Sequence, residues 1–164
     1  MKKQPKIDVP PSMWEKFFNL LSAILIIALW VYAAQAYSTL PKEIPTHFDG
    51  SGVPDEWGSK KTIFIMPGIA LITFVLMYFA SKKPHLFNYP MKVTEENAHR
   101  LYPLAKTSMA IINFEMVLLF SYITWGMIQS AKDDSGLGVG FVIAALLIPL
   151  ITSIIFMVKM NKVK

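Results

Sequence analysis

No cysteine occurs in the 164 residues, so disulfide bridges, thiolate nucleophiles and cysteine-held metals are excluded, and nothing can be read about redox compartment. Charge is scarce as well. Asp, Glu, Lys and Arg make up 16% of the chain, against roughly 25% in soluble globular domains. Histidine is confined to His47, His85 and His99, and no H-x-x-x-H or H-E-x-x-H pairing occurs, which removes the familiar helical zinc signatures. No internal repeat and no low-complexity tract is present. The formal charge of +5 is not arranged as basic residues interleaved with aromatics on a soluble face, so nucleic acid is not an expected partner.

What the chain has instead is apolar length. Hydrophobic residues reach 54% and gather in four blocks, 17–37, 63–80, 109–128 and 139–158. A helix needs about 20 mostly apolar residues to cross the hydrocarbon layer of roughly 30 Å. Inside lipid every backbone polar group must be paired within the spanning segment, so such blocks are helices rather than strands. The expected fold is all-α: one polytopic membrane domain over 1–164, with four transmembrane helices at about 14–38, 62–81, 107–129 and 138–158. An ordered loop at 40–61 joins the first two helices, and a connection at 82–106 joins the second and third.

Lys and Arg set the orientation. Twelve of the 16 fall in the N-terminal arm, the 82–106 connection and the tail; Lys42, Lys60, Lys61 and Lys132 lie on the other side. The positive-inside rule then places both termini in the cytoplasm and the 40–61 loop outside, in a multi-pass membrane protein. The lipid bilayer is its first partner, and the basic excess serves topology and attraction to anionic lipid. Ala34-Gln35-Ala36 imitates a signal-peptidase site, but the preceding apolar run is longer than a signal core, so an uncleaved helix is expected.

Residues 1–13, with Pro5, Pro10 and Pro11, read as a loose or surface-lying arm, and Ser12 as the cap of the first helix. Thr94 before Glu95 and Glu96 reads as a second cap, opening a helix that runs into the third span with a bend at Pro103. Pro67 and Pro149 should kink the second and fourth spans.

The segment 40–61, LPKEIPTHFDGSGVPDEWGSKK, does not belong to any apolar core. Pro41 and Pro45 restrict their neighbours to extended geometry, and Asp49-Gly50-Ser51-Gly52 is a tight-turn signal. An ordered cap on the membrane surface follows, with Phe48 and Trp57 as apolar anchors. Three readings stay open for its polar groups: turn structure, recognition of a ligand or peptide, or a divalent ion held by His47, Asp49 and Asp55. No other cofactor is expected. The D-x-S-x-x-x-D spacing echoes a calcium loop, but the twelfth position is Lys60 rather than a bidentate Glu.

A second candidate lies in the third span. A carboxylate within the bilayer is costly, so Glu115 should face protein or water. Ser108, Glu115, Tyr122 and Gln129 recur every seven residues and share one helix face. Glu115 reads either as part of a proton or substrate path or as interhelical glue, bonded to Asn19, Ser22 or Thr73.

The run L-P-x-x-I-P-T-H-F-D-x-x-G-x-P-D-x-W-G-S-K, Leu40 to Lys60, resembles the bacterial membrane-domain family of unknown function found at the N-terminus of SdpI-type immunity proteins. N-Y-P-x-K-V-T-E-E-N-A-x-R-L-Y, Asn88 to Tyr102, is similar to the cytoplasmic segment of its stand-alone members. The resemblance covers roughly residues 15 to 105; the last two helices match only in being apolar. It implies that Pro45, His47, Phe48, Gly52, Pro54, Asp55, Trp57 and Lys60 form the signature site. In SdpI-type proteins a second helical domain accompanies this one, and the whole protects against a secreted toxic peptide and sequesters a repressor at the membrane; a chain of this length is not expected to hold that second domain.

The leading expectation is therefore a non-enzymatic membrane protein of the immunity or sensing type, whose outer loop recognises a peptide toxin or envelope component. The alternatives are a small transporter or metal-assisted membrane enzyme using Glu115 with the His47 and Asp55 group, and a structural subunit of a larger membrane complex. A cytoplasmic regulator or membrane partner could dock on the inner face. No catalytic residue is assigned.

Overall fold

The computed structural model describes residues 4–133 and 136–163. Its elements are α1 (Met13–Tyr37), β1 (Glu43–Phe48), β2 (Pro54–Ser59), a 3-10 turn (Lys60–Phe64) leading into α2 (Ile65–Ala80), a short 3-10 turn (Pro84–Leu86), α3 (Glu95–Asp133) and α4 (Val139–Asn161). Among the described residues, four helical stretches are long and apolar enough to cross a membrane. Their exposed faces carry rows such as Leu20, Ile24 and Ile27 on α1, Ile72, Val75 and Leu76 on α2, and Leu146, Leu150 and Ile151 on α4. Exposed apolar surface on this scale has no place in water and suits acyl chains. The departure from an all-helical fold lies between α1 and α2, where β1 and β2 pair as an antiparallel two-stranded sheet.

The helix ends follow from their caps. Ser12 Oγ accepts from the Glu15 amide at 3.0 Å and meets Thr107 Oγ1 at 2.8 Å, tying the start of α1 to α3. The Thr94 amide donates to Asn97 Oδ1 (2.9 Å), while the Asn97 amide donates back to Thr94 Oγ1 (3.3 Å), a reciprocal cap at the head of α3. Pro67 falls in the first turn of α2, so the break expected there takes the form of a 3-10 turn giving way to α-helix.

The spine is α3. Its 39 residues extend about 58 Å at 1.5 Å per residue, nearly twice the roughly 30 Å hydrocarbon layer. Helices α1, α2 and α4 all pack on it, and α4 packs mainly there. Small residues at the seams, among them Ala105, Ala110, Gly126 and Ser130, let backbones approach. At Gly126 an added Cβ would overlap the Leu137 side chain.

Two clusters close the ends. Ala33, Ala36, Leu40, Ile44, Ile63, Met127 and Ile128 form the core beneath the hairpin. At the opposite end Ala98, Leu101, Tyr102, Ala105, Phe156 and Met160 pack together, with Ile7 and Val9 of the N-terminal arm against them. Of the two forms expected for that arm, loose or surface-lying, it is not the loose one. Gln4 donates to the Phe87 carbonyl (2.9 Å), the Tyr102 hydroxyl to the Pro5 carbonyl (2.6 Å) and Lys106 Nζ to the Val9 carbonyl (2.9 Å), so residues 4–9 are strapped onto α3 and its preceding loop. Apolar Ile7 and Val9 explain the difference: they have a core to enter.

Candidate functional site

The hairpin is built from its turn outward. Asp49 Oδ1 accepts from the Ser51 amide (2.8 Å), the Ser51 hydroxyl (2.7 Å) and the Val53 amide (2.9 Å), and the Asp49 amide donates to the Val53 carbonyl (2.8 Å). The Val53 amide and then the Ser51 hydroxyl hold the Asp49 carboxyl below its ordinary value. Gly52 sits at φ +79°, where a side chain is strained, and its carbonyl accepts from the Leu137 amide at 2.7 Å. A Cβ at Gly52 would lie 2.7 Å from the Gly138 nitrogen, and one at Gly136 would overlap the Gly52 carbonyl. The turn therefore seats on the segment before α4 through bare backbone.

The strand register slips twice. Pro45 pairs with Trp57, His47 with Glu56 and Phe48 with Pro54, with irregularities on both sides of His47. Bulges of this kind re-aim side chains. The outcome is His47 Nδ1 at 2.6 Å from Asp55 Oδ1, both side chains substantially exposed. The Asp55 hydrogen bond, then its charge, push the His47 imidazole above its ordinary value.

The strand roots are fixed differently. Ile44 and Pro45 are fully buried, and Phe48 packs against the cluster beneath. Lys60 Nζ donates to the carbonyls of Tyr37 (3.0 Å) and Leu40 (3.3 Å) and stands 4.6 Å from the Tyr37 ring centroid. It thereby caps the negative end of α1 with a cation. Trp57, by contrast, remains 48% exposed. Of the nine loop residues singled out from the sequence, Pro45, Phe48, Asp49, Gly52 and Lys60 are engaged in holding the hairpin. Half-buried Pro54 sits opposite Phe48, while His47, Asp55 and Trp57 face outward. Among the described residues no three His, Asp or Glu side chains converge as a metal-ligand set. Asp49 is turned into its own loop, which leaves His47 and Asp55 as a pair.

Three of the four stripe residues on α3 lie toward α4. Glu115 and Tyr122 face α4, and Ser108 borders a hollow with Ser153 and Phe156 of α4. Glu115 Oε1 accepts from the Thr152 hydroxyl at 2.5 Å, so the interhelical partner is on α4 and not Asn19, Ser22 or Thr73. Ser22 bonds its own helix at the Phe18 carbonyl. The Tyr122 hydroxyl donates to the Leu137 carbonyl (3.4 Å), and its ring stacks on Phe141 at 4.3 Å. Glu115 lies 18 residues below the end of α3, roughly 27 Å along the axis. The structure does not bring it together with His47 and Asp55.

Sequence reading missed Glu15. Its side chain is 1% exposed, with Lys106 Nζ at 3.4 Å and Lys82 Nζ at 3.7 Å. Lys82 also stands 4.3 Å over the Tyr78 ring. One carboxylate thus joins the start of α1, the end of α2 and α3. In the sequence it reads only as an acid in a first helical turn, and its partners are far along the chain.

Helices fit for a bilayer and a capping hairpin define a multi-pass membrane protein. Residues 24–71, from the middle of α1 through the hairpin into α2, match the model of a domain of unknown function, DUF1648. The chain is 33% identical over 117 residues to an uncharacterized protein of Archaeoglobus fulgidus, covering 63% of this chain and 60% of that protein. It is 28% identical over 122 residues to the immunity protein SdpI of Bacillus subtilis, covering 74% of this chain and 54% of that protein. In both cases the match spans less than two thirds of the relative's length. No solved structure matches.

Proposed function

We propose that this is a non-enzymatic membrane protein of the immunity or sensing type, oriented with both termini in the cytoplasm. Its hairpin then stands outside the membrane and recognises a peptide or envelope component. The observation that carries this reading is a division of labour. Five loop residues are spent on fixing the hairpin, while Trp57, His47 and Asp55 are held outward on that base. Rigid aromatic and paired polar groups are what a recognition surface needs, since little freedom is lost on binding. The similarity to an immunity protein supports the same class.

The test is protection. A peptide-sensitive bacterial host expressing the chain is challenged with membrane-active peptides, beside hosts expressing Trp57→Ala or the His47→Ala, Asp55→Ala pair at matched membrane levels. Protection that falls at least tenfold in these variants is expected. Protection that is absent from the intact chain, or untouched by the substitutions, overturns the hairpin as the recognising element.

A further inference from the structure

The seam between α3 and α4 holds a cavity of about 150 Å³, lined on α3 by Glu115, Leu118 and Tyr122 and on α4 by Phe141, Ala145 and Pro149. Its walls are almost wholly apolar, yet they include a carboxyl group within the bilayer span. Oε1 of Glu115 takes the Thr152 hydroxyl; Oε2 is shielded from solvent and has no hydrogen-bond partner. No Lys, Arg or His forms an ion pair with Glu115 among the described residues.

A second acceptor comes from the helix itself. Pro149 lies inside α4 and has no amide hydrogen, so the carbonyl four residues earlier, at Ala145, loses its i+4 donor. Ala145 and Pro149 both line the cavity. Interrupted helix backbone and an acidic side chain at membrane depth are the means by which proteins receive cations in lipid.

We propose that this cavity binds a small aliphatic amine as its ammonium ion, with Glu115 as counter-ion, the Ala145 carbonyl as second acceptor and the apolar walls around the alkyl chain. The space is a half-open cleft rather than a sealed void. Between apolar walls, ~150 Å³ holds a molecule of about the size of benzene, which corresponds to an alkyl chain of roughly six carbons entering from the open side. The ammonium supplies the charge that a lone carboxylate lacks at this depth, and the chain replaces lost wall-to-wall contact. The site involves none of the hairpin's recognition residues, so its fate is independent of the function proposed above.

The experiment measures thermal unfolding of the full chain in detergent, followed by tryptophan fluorescence, while n-hexylamine is titrated in. A saturable rise in midpoint is expected, with n-hexanol, ethylamine and sodium chloride at least tenfold less effective. Glu115→Gln should weaken n-hexylamine by at least tenfold. Ala145→Leu, which keeps the carboxyl and fills the space, should abolish the effect and guards against a Glu115 variant that fails to fold. Equal stabilisation by n-hexanol would reduce the site to an apolar hole. Equal stabilisation by ethylamine or sodium would make it a bare cation site. Either result, or full retention of binding in Ala145→Leu, overturns the proposal.

Discussion

Glu15 is the residue whose removal should cost most. Replacing it by Ala leaves Lys106, itself buried, without its charge partner, and breaking one side of a buried pair typically costs ~3–5 kcal/mol. Thermal unfolding in detergent should show Glu15→Ala far below wild type, with Lys106→Met restoring part of the loss in the double variant; simple additivity of the two would refute the pairing. Two exposed groups give the hairpin a pH window. The His47 value is raised from 6.5 by Asp55, so its stabilising contribution is complete below 6.5 and lost as pH rises through the higher folded value. Asp49 is lowered from 3.8, so its contribution is present above 3.8 and lost as pH falls through the depressed folded value. An NMR titration of the His47 ring should give a midpoint above 6.5 that returns toward it in Asp55→Asn; identical midpoints would dismiss the contact. The sequence groups His47 with Asp55 without giving their direct contact, and it links Glu15 to neither lysine. Glu15 resembles any acid beside an N-cap, and the His47–Asp55 contact depends on a slipped register.

At the scale of elements, the four spans could be read directly because lipid imposes a length and an unbroken apolar composition. The strands could not. Prolines at 45 and 54, a glycine at 58 and charged residues on both faces give low strand propensity and no clean alternation. What makes them strands is anchorage: Asp49 closes the turn, Lys60 holds the base, and the Gly52 carbonyl seats on Leu137. Gly52→Ala should therefore loosen the hairpin by at least ~1–2 kcal/mol, the usual cost of a side chain in left-handed geometry, with the clash against Gly138 added. Gly50→Ala is the control, since nothing lies within 4 Å of its added Cβ. Amide exchange at Val53 should quicken in the first variant only, and equal exchange in both would show that the turn does not depend on this close approach.

For the molecule as a whole, the charge asymmetry makes a claim about sidedness that a cysteine-free chain tests cleanly. Ser51→Cys should react with an impermeant maleimide on intact cells, and His85→Cys only after the membrane is opened; the reverse pattern would invert the topology. Helix α3 gives this architecture its hierarchy, because each other span leans on it. The strap at the N-terminus adds an order of events. Residues 5 and 9 meet partners 97 positions later, at Tyr102 and Lys106. During synthesis those partners do not exist until α1, the hairpin and α2 have already been made, and chains grow at about 5–20 residues per second. For some seconds the strap has nothing to hold, Ile7 and Val9 stay uncovered, and the first two spans must settle in lipid unaided. The emergence of α3 then acts as a clasp: it ties down the arm through Tyr102 and Lys106 and brings Glu15 its second lysine.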